Sequence, residues 1–120
     1  MKNEETDLLP RTKLFARRMI KIYCSLSKSD TVAQVLGKQV LRSGTSIGAN
    51  YREANRASSK AEFIAKMGDC LKEADETLYW LELLSEEGVL PPAKMQPLIT
   101  ESNELVAIFV TILKTARGHE

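Results

Sequence analysis

The acidic side chains in the second half of the sequence are the residues whose spacing could support catalysis. Asp69, Glu73 and Glu76 are separated by four and three positions, so a helix would place them on one face. Carboxylates paired in this way can hold Mg²⁺. Such a face is more often solvated or salt-bridged. Pairing of Lys66 with Asp69 and of Lys72 with Glu76 favours that interpretation.

Histidine chemistry has little support in this chain. The single histidine, His119, is the penultimate residue, where a chain end is expected to fray. It is therefore a poor base for a Ser-His-Asp or Cys-His arrangement. The sequence also lacks the Glu-x-x-His motifs that build di-iron sites in helical bundles. We predict a protein that is not an enzyme, with no catalytic residues, no metal and no cofactor.

Basic residues in the middle of the chain could bind nucleic acid. Arg52, Arg56 and Lys60 are spaced by four, and Lys and Arg side chains bind nucleic acid by neutralising phosphates and releasing counterions. Only Tyr51 and Phe63 interleave with them, so stacking on bases has weak support. The candidate nucleic-acid-binding residues are Lys38, Arg42, Arg52, Arg56, Lys60 and Lys66.

The charge of the chain is divided unevenly between its two parts. Residues 1–66 contain 13 Lys and Arg against 6 Asp and Glu, a net charge of +7, and residues 67–120 contain 4 against 10, a net charge of −6. The division indicates either a polyanion-binding face or a contact between basic and acidic halves, within one chain or between subunits. The overall pI near 7.7 argues against a dedicated nucleic-acid binder.

Length and composition predict one globular domain. The 120 residues, 43% hydrophobic and 28% charged, suit a single domain over 1–120 with an ordered core at about 8–117. No apolar run approaches the ~20 residues of a membrane span, and the N-terminus lacks an apolar signal core. We therefore expect a cytoplasmic protein with no membrane partner, in which Cys24 and Cys70 are reduced.

Apolar spacing predicts helices in the first half of the chain. The first runs from about Pro10 to Leu26, and the second starts near Thr31 with Ser29 or Asp30 as its cap. The first has an apolar face of Phe15, Met19, Ile22 and Leu26. The expected inner face of the second is Val32, Leu36, Val40, Ser43, Ile47, Asn50 or Tyr51, and Ala54.

A run of small residues lies within the second helix. Small side chains let another backbone approach closely, or allow a bend, since Gly is disfavoured in helices by about 1 kcal/mol relative to Ala. A phosphate-binding loop is disfavoured, because the pattern G-x-x-x-x-G-K-[ST] and a preceding strand are both missing. If Arg42 faces inward, it must find acceptors, and Glu53, Glu73 and Glu76 are available. We expect Asn50 to hydrogen-bond a neighbouring helix or subunit. The residues assigned to close packing or assembly here are Gly44, Ser46, Gly48, Ala49 and Asn50.

Two longer helices complete the expected fold. The third begins after Ser58 with a Ser59–Glu62 capping box and stops at Gly88. Two apolar stripes on it, one along Ile64, Met67, Leu71, Ala74, Leu78 and Leu81, the other along Phe63, Cys70, Thr77, Trp80 and Leu84, indicate contacts on two sides. Pro97 either kinks the start of the fourth helix or begins its regular part, and the helix runs to about Arg117.

Residues 105–113 of the fourth helix are apolar on nearly every side, which indicates burial on every side and hence a partner subunit. The expected contact residues are Phe63, Trp80, Val106, Phe109, Val110 and Leu113, some of which must belong to the core instead. These elements together predict an all-α, antiparallel up-down four-helix bundle that forms a homo-oligomer.

With the helices placed, the sequence resembles the bacterial four-helix-bundle proteins encoded in intervening sequences of large-subunit ribosomal RNA genes. That family has an R-S-x-x-S-I-x-x-N-I-x-E-G core and a long third helix with an E-F-I pattern. The matching positions are Arg42, Ser43, Ser46, Ile47, Asn50, Glu53, Glu62, Phe63, Ile64 and Glu73, over roughly residues 10–115. Departures are Tyr51 for Ile, Ala54 for Gly, and Gly68-Asp69-Cys70 in place of apolar or small residues.

The resemblance implies a ring-like homo-oligomer, a pentamer in characterised relatives. A more distant group with the same bundle comprises accessory proteins of retroelements, which bind nucleic acid and a reverse transcriptase. The sequence leaves two functions open. One is a scaffold or binding module associated with RNA, or with a nucleic-acid-processing protein, through a basic face. The other is a protein-interaction scaffold without nucleic-acid affinity. They differ in whether the basic residues stay exposed or disappear into salt bridges.

Overall fold

Four long helices form the structure, a computed structural model that describes residues 7–118. They are α1 (Leu8–Ser25), α2 (Thr31–Asn55), α3 (Lys60–Glu86) and α4 (Pro92–Arg117). Each packs against the next in chain order, and the short connections make consecutive helices antiparallel. The bundle measures 47 × 24 × 24 Å. The prediction of an all-α, antiparallel up-down four-helix bundle is confirmed.

Side-chain caps fix where the first two helices begin. The Asp7 carboxylate accepts a hydrogen bond from the Leu9 N–H, so α1 begins at Leu8, two residues before the predicted start. Pro10 still falls in the first turn, where its missing N–H has no intrahelical partner. Asp30, one of the two predicted caps, accepts from the Ala33 N–H and begins α2.

The capping box at the start of α3 is confirmed with one change. The Ser59 hydroxyl accepts from the Glu62 N–H at 3.0 Å, as predicted. The Glu62 carboxylate accepts instead from the N–H and hydroxyl of Ser58, one residue before the cap. These hydrogen bonds lower the pKa of Glu62. Gly88 follows α3 with a φ of +71°, a conformation that favours glycine and ends the helix.

The inner face of α2 differs at its start from the prediction. Val32 is 56% exposed, so its assignment to the inner face is wrong. The buried face begins at Ala33 and continues through Gly37, Val40 and Gly44. Because glycine has no side chain, Gly37 and Gly44 do not contribute to a pattern of apolar residues, and the spacing therefore did not indicate this face.

Glycines bring α1 and α2 together. A Cβ on Gly44 would overlap with Cγ of Met19, and a Cβ on Gly37 would overlap with Cδ1 of Leu26. Met19 is fully buried, and it fills the space that a side chain on residue 44 would need. The backbones of α1 and α2 can therefore approach more closely than larger residues would allow.

Polar side chains in the middle of α2 are satisfied without breaking the helix. The hydroxyls of Ser43, Thr45 and Ser46 each donate to the backbone carbonyl four residues earlier. The fully buried Ser43 hydroxyl also lies 2.8 Å from that of Thr77 on α3. The segment is therefore regular helix, and its small residues serve packing.

An ion pair joins the outer helices. Nε and Nη2 of Arg11 on α1 donate to the two carboxylate oxygens of Glu101 on α4, each at 2.7 Å. Both side chains are only 17% exposed. Glu104 accepts from the same guanidinium at 2.6 Å, but its side chain is 57% exposed. These contacts close the side of the bundle where α1 and α4 meet.

Among residues 7–118, no helix is both long and apolar enough to cross a membrane.

Candidate nucleic-acid interface

The outward face of α2 carries a basic stripe. Spacings of four and three place Lys38, Arg42, Arg52 and Arg56 along one side of the helix, and all four are exposed. Thr45 and the exposed Ala49 continue the same stripe between them. The four cations therefore extend over about 27 Å, the length of 18 residues of α-helix.

Two of the six candidate basic residues are engaged in ion pairs. Arg42 donates to Glu76 at 2.9 Å and to Glu73 at 3.4 Å, which are two of the expected acceptors, although its side chain is 52% exposed rather than buried. Lys66 pairs with Glu53 at 2.6 Å, across from α3 to α2. The hydrogen bond and charge of Glu53 raise the pKa of Lys66. Neither predicted Lys–acid pair within α3 forms, because Lys66 and Glu76 take partners on α2.

The other four candidates, Lys38, Arg52, Arg56 and Lys60, are exposed and form no ion pair with a described residue. Part of the positive charge of the first half of the chain is therefore neutralised within the bundle. An arginine of α1 pairs with carboxylates of α4, and an arginine of α2 pairs with carboxylates of α3. The rest of the positive charge faces outward.

A groove of about 880 Å³ runs between α1 and α2 beside this stripe. The groove is lined by Lys13 of α1, Arg52 of α2 and Arg56, the C-cap of α2. Glu53 also lines it, but its carboxylate is already paired with Lys66. The other lining residues are the polar Asn55 and a set of small or apolar residues: Leu9, Pro10, Thr12, Ala16, Thr45, Gly48 and Ala49. The groove is therefore a basic channel with a floor of small residues.

Gly48 sets the depth of this groove. A Cβ at this position would lie 3.3 Å from the Thr12 hydroxyl and 3.4 Å from the Thr12 carbonyl oxygen, so α1 and α2 lie close together at the floor. Ala49 points outward and is exposed. Ser46 is half-buried, and Asn50 donates to the Ser46 carbonyl at 3.0 Å within its own helix, not to a neighbouring helix.

Sequence reasoning missed Lys13 as a member of the site. Lys13 belongs to α1, and it joins Arg52 only because the two helices run antiparallel with Thr12 against Gly48. The small residues of α2 were the available signal, since they mark where α1 lies. Spacing along one helix cannot show which residue of the neighbouring helix is opposite.

The residues expected at a subunit interface have mixed positions. Phe109 and Leu113 are buried in the core of this chain, and Gly44 is buried against the side chain of Met19. Phe63, Trp80, Val106 and Val110 are half-buried. Trp80 also has a buried indole N–H without a hydrogen-bond partner among the described residues. Large apolar side chains that are exposed lie elsewhere: Leu9, Leu14, Ile20, Val32 and Val35, with Tyr79 on α3.

Groups suited to catalysis or metal binding do not converge within residues 7–118. No cluster of three or more His, Cys, Asp or Glu side chains there could hold a metal ion. The carboxylates of Glu73 and Glu76 both face Arg42. His119 lies outside the described residues.

The two cysteines are free and differ in their surroundings. Cys24 is exposed, whereas Cys70 is buried, with its thiol 3.8 Å from the Ile47 carbonyl oxygen. Burial, and to a lesser extent the charge of Asp69, raises the pKa of Cys70 to about 12. The thiolate is the reactive form, so Cys70 should be inert in the folded protein.

We therefore expect one fast-reacting thiol per chain when the native protein meets a thiol-specific reagent at about pH 8, and two after denaturation. The replacement Cys24→Ser should remove the fast reaction and leave the slow one. Fast reaction of both thiols in the native protein would show that the environment of Cys70 is open.

The fold defines a class, that of all-α up-down four-helix bundles. Within it, the chain belongs to the family of 23S rRNA-intervening sequence proteins, which it matches over residues 4–111. The resemblance noted from the sequence is confirmed. The chain is similar to a protein of unknown function from the S23 ribosomal protein family of Bacteroides thetaiotaomicron, with 39% identity and a TM-score of 0.83, over 90% of this chain and 99% of that one. A comparison with curated proteins gives no match.

Proposed function

We propose that this protein is a non-enzymatic, cytoplasmic, homo-oligomeric binding module that contacts RNA through phosphates. The observation that supports it best is the set of exposed cations around the α1–α2 groove that pair with no described carboxylate. Of the two functions left open by the sequence, an RNA-associated module needs such cations, whereas a scaffold without nucleic-acid affinity does not.

Positive charge remains available for phosphate at four exposed side chains. Lys13, Arg52, Arg56 and Lys60 are exposed and have no ion pair with a described carboxylate, so a phosphate could approach each without displacing a partner. Each phosphate neutralised releases counterions, which makes binding strong at low salt and nearly independent of sequence. An assembly with several copies of the groove would multiply this effect.

The first test is the replacement of Arg52, Arg56 and Lys60 by glutamate. We expect binding to all RNA sequences to weaken together, and the slope of log affinity against log salt to flatten by about 2–3, near 0.7–0.9 for each phosphate that is no longer neutralised. Fluorescence anisotropy over a salt series measures both quantities. No binding by the wild type even at low salt would leave the interaction scaffold as the better function.

A matched control changes the same amount of charge away from the groove. Lys94, Lys114 and Arg117 are exposed on α4, and none pairs with a described carboxylate. Their replacement by glutamate alters the net charge equally. It should flatten the salt slope much less if the groove is the interface. Both triple variants must retain wild-type helicity and oligomer size.

Self-association is supported by apolar side chains that one chain leaves partly uncovered. Leu14, Ile20 and Val35 are 46–56% exposed, and Val106 and Val110 are half-buried. Fully burying one such side chain contributes roughly 1.5–3 kcal/mol. We expect light scattering at micromolar concentration to give a multiple of the chain mass of 13.4 kDa, with a pentamer as the assembly that the family resemblance implies. A well-behaved monomer would contradict this expectation.

A further inference from the structure

We infer that the α1–α2 groove recognises double-helical RNA in preference to single strands. This inference rests on the proposed function, and it specifies which form of RNA the groove binds. The two kinds of RNA require different surfaces. Single strands are bound by aromatic side chains on which exposed bases stack, whereas duplexes are recognised by their shape and their phosphates. The groove offers only the second kind of contact.

Aromatic side chains lie away from the groove. Among the described residues, none of the groove-lining side chains is aromatic. Tyr51 is buried although it is next to Arg52 in sequence, and the exposed Tyr79 belongs to α3. An unpaired base entering the groove would therefore meet only small and charged side chains. Stacking contributes about 1–3 kcal/mol per base at single-strand sites, and this surface cannot supply it.

Helix packing fixes the backbone positions from which the cationic side chains extend. Arg52 lies in the last turn of α2, and Arg56, four residues later, is the C-cap of that helix. Lys13 faces them from α1, and α1 cannot slide along α2 without moving Met19 away from Gly44 or Thr12 away from Gly48. Cations that extend from fixed backbone positions suit the regular phosphates of a duplex. A flexible single strand would lose conformational entropy to match these positions.

The shape of the groove agrees with a phosphate backbone as its occupant. The small residues Ala16 and Gly48 line the groove together with Lys13 of α1 and Arg52 of α2, so no large side chain of theirs blocks a phosphate from approaching the two cations. Further along the same face, Lys38 is exposed and unpaired with any described residue. The stripe from Lys38 to Arg56, about 27 Å long, is long enough to meet several successive phosphates.

The test compares a purine-rich RNA strand, its pyrimidine complement, and the duplex of about 16 base pairs that they form, a length typical of duplex-binding domains. Each is titrated with the purified wild-type oligomer at low salt by fluorescence anisotropy. We expect the duplex to bind about tenfold or more tightly than either strand, because only the duplex presents a regular phosphate array. The Arg52, Arg56 and Lys60 triple variant should lose this preference together with most of its affinity.

The possible failures are distinguishable. If either single strand binds as tightly as the duplex, the inference is wrong while the proposed RNA function stands. If none of the three RNAs binds the wild type, the proposed function itself fails. A Lys13→Glu variant gives a second measurement on the opposite rim. An unchanged duplex affinity in that variant, or an equal loss in the Lys94, Lys114 and Arg117 control, would overturn the assignment to this groove.

Discussion

Replacing Gly44 with alanine is expected to lower the free energy of unfolding by about 1–3 kcal/mol, the usual cost of overpacking a core. The added Cβ would overlap with Cγ of Met19 and lie 3.1 Å from its Cβ. Met19 is fully buried, and these two atoms are attached close to the α1 backbone. Either Met19 must adopt a strained rotamer or α1 must move outward. Denaturant unfolding followed by circular dichroism measures the change.

Gly68 on α3 provides the matched control for this prediction. A Cβ at Gly68 would meet no heavy atom within 4 Å, so only the helix propensity changes there. Gly68→Ala should therefore raise stability by about 0.5–1 kcal/mol. The same propensity gain acts at Gly44, so the difference between the two variants isolates the steric cost. Equal stabilisation in both would show that α1 and α2 do not make this close contact.

The ends of the helices could be predicted because they depend on local chemistry. Asp30, Ser59 and Gly88 each act within a few residues of their own position, so their roles are visible in the sequence. Pro97 allowed two interpretations, and the structure has continuous helix from Pro92 through Pro97.

The buried face of α2 could not be located from the spacing of apolar residues alone. Apolar residues alone suggested a face beginning at Val32, but the face toward α1 contains Gly37 and Gly44, which accept side chains rather than contribute them. The side chains that fill these positions are Met19 of α1 and Leu26, the C-cap of α1, and both were correctly predicted on the apolar face of the first helix. The information was therefore present in the neighbouring helix.

Which basic residues remain available was the least predictable part of the candidate site. Arg42 and Arg52 lie on the same stripe of α2, and their spacing gives no reason to separate them. They differ because Glu73 and Glu76 of α3 lie beside Arg42, whereas Arg52 faces the groove. That distinction depends on the register between α2 and α3, which is a property of the packed bundle.

The ion pair between Arg11 and Glu101 is expected to contribute substantially to the docking of α1 on α4. Arg11→Met and Glu101→Gln should each lower the free energy of unfolding by about 1.5–3 kcal/mol, the range for hydrogen bonds to charged groups. Each change leaves the other member half-buried without its main partner. Arg11 also contacts Glu104, so the pair itself is best measured by a double-mutant cycle of Arg11→Met and Glu101→Gln.

Arg42→Met is the matched control, because Arg42 also pairs with two carboxylates but is 52% exposed, against 17% for Arg11. Water and salt screen the exposed pair, so its loss should cost only about 0–1 kcal/mol. If Arg11→Met costs no more than Arg42→Met, burial does not strengthen the α1–α4 contact. In that case the position of α4 is stabilised by its packing against α3 and by apolar burial, and the ion pair with α1 adds no measurable stability.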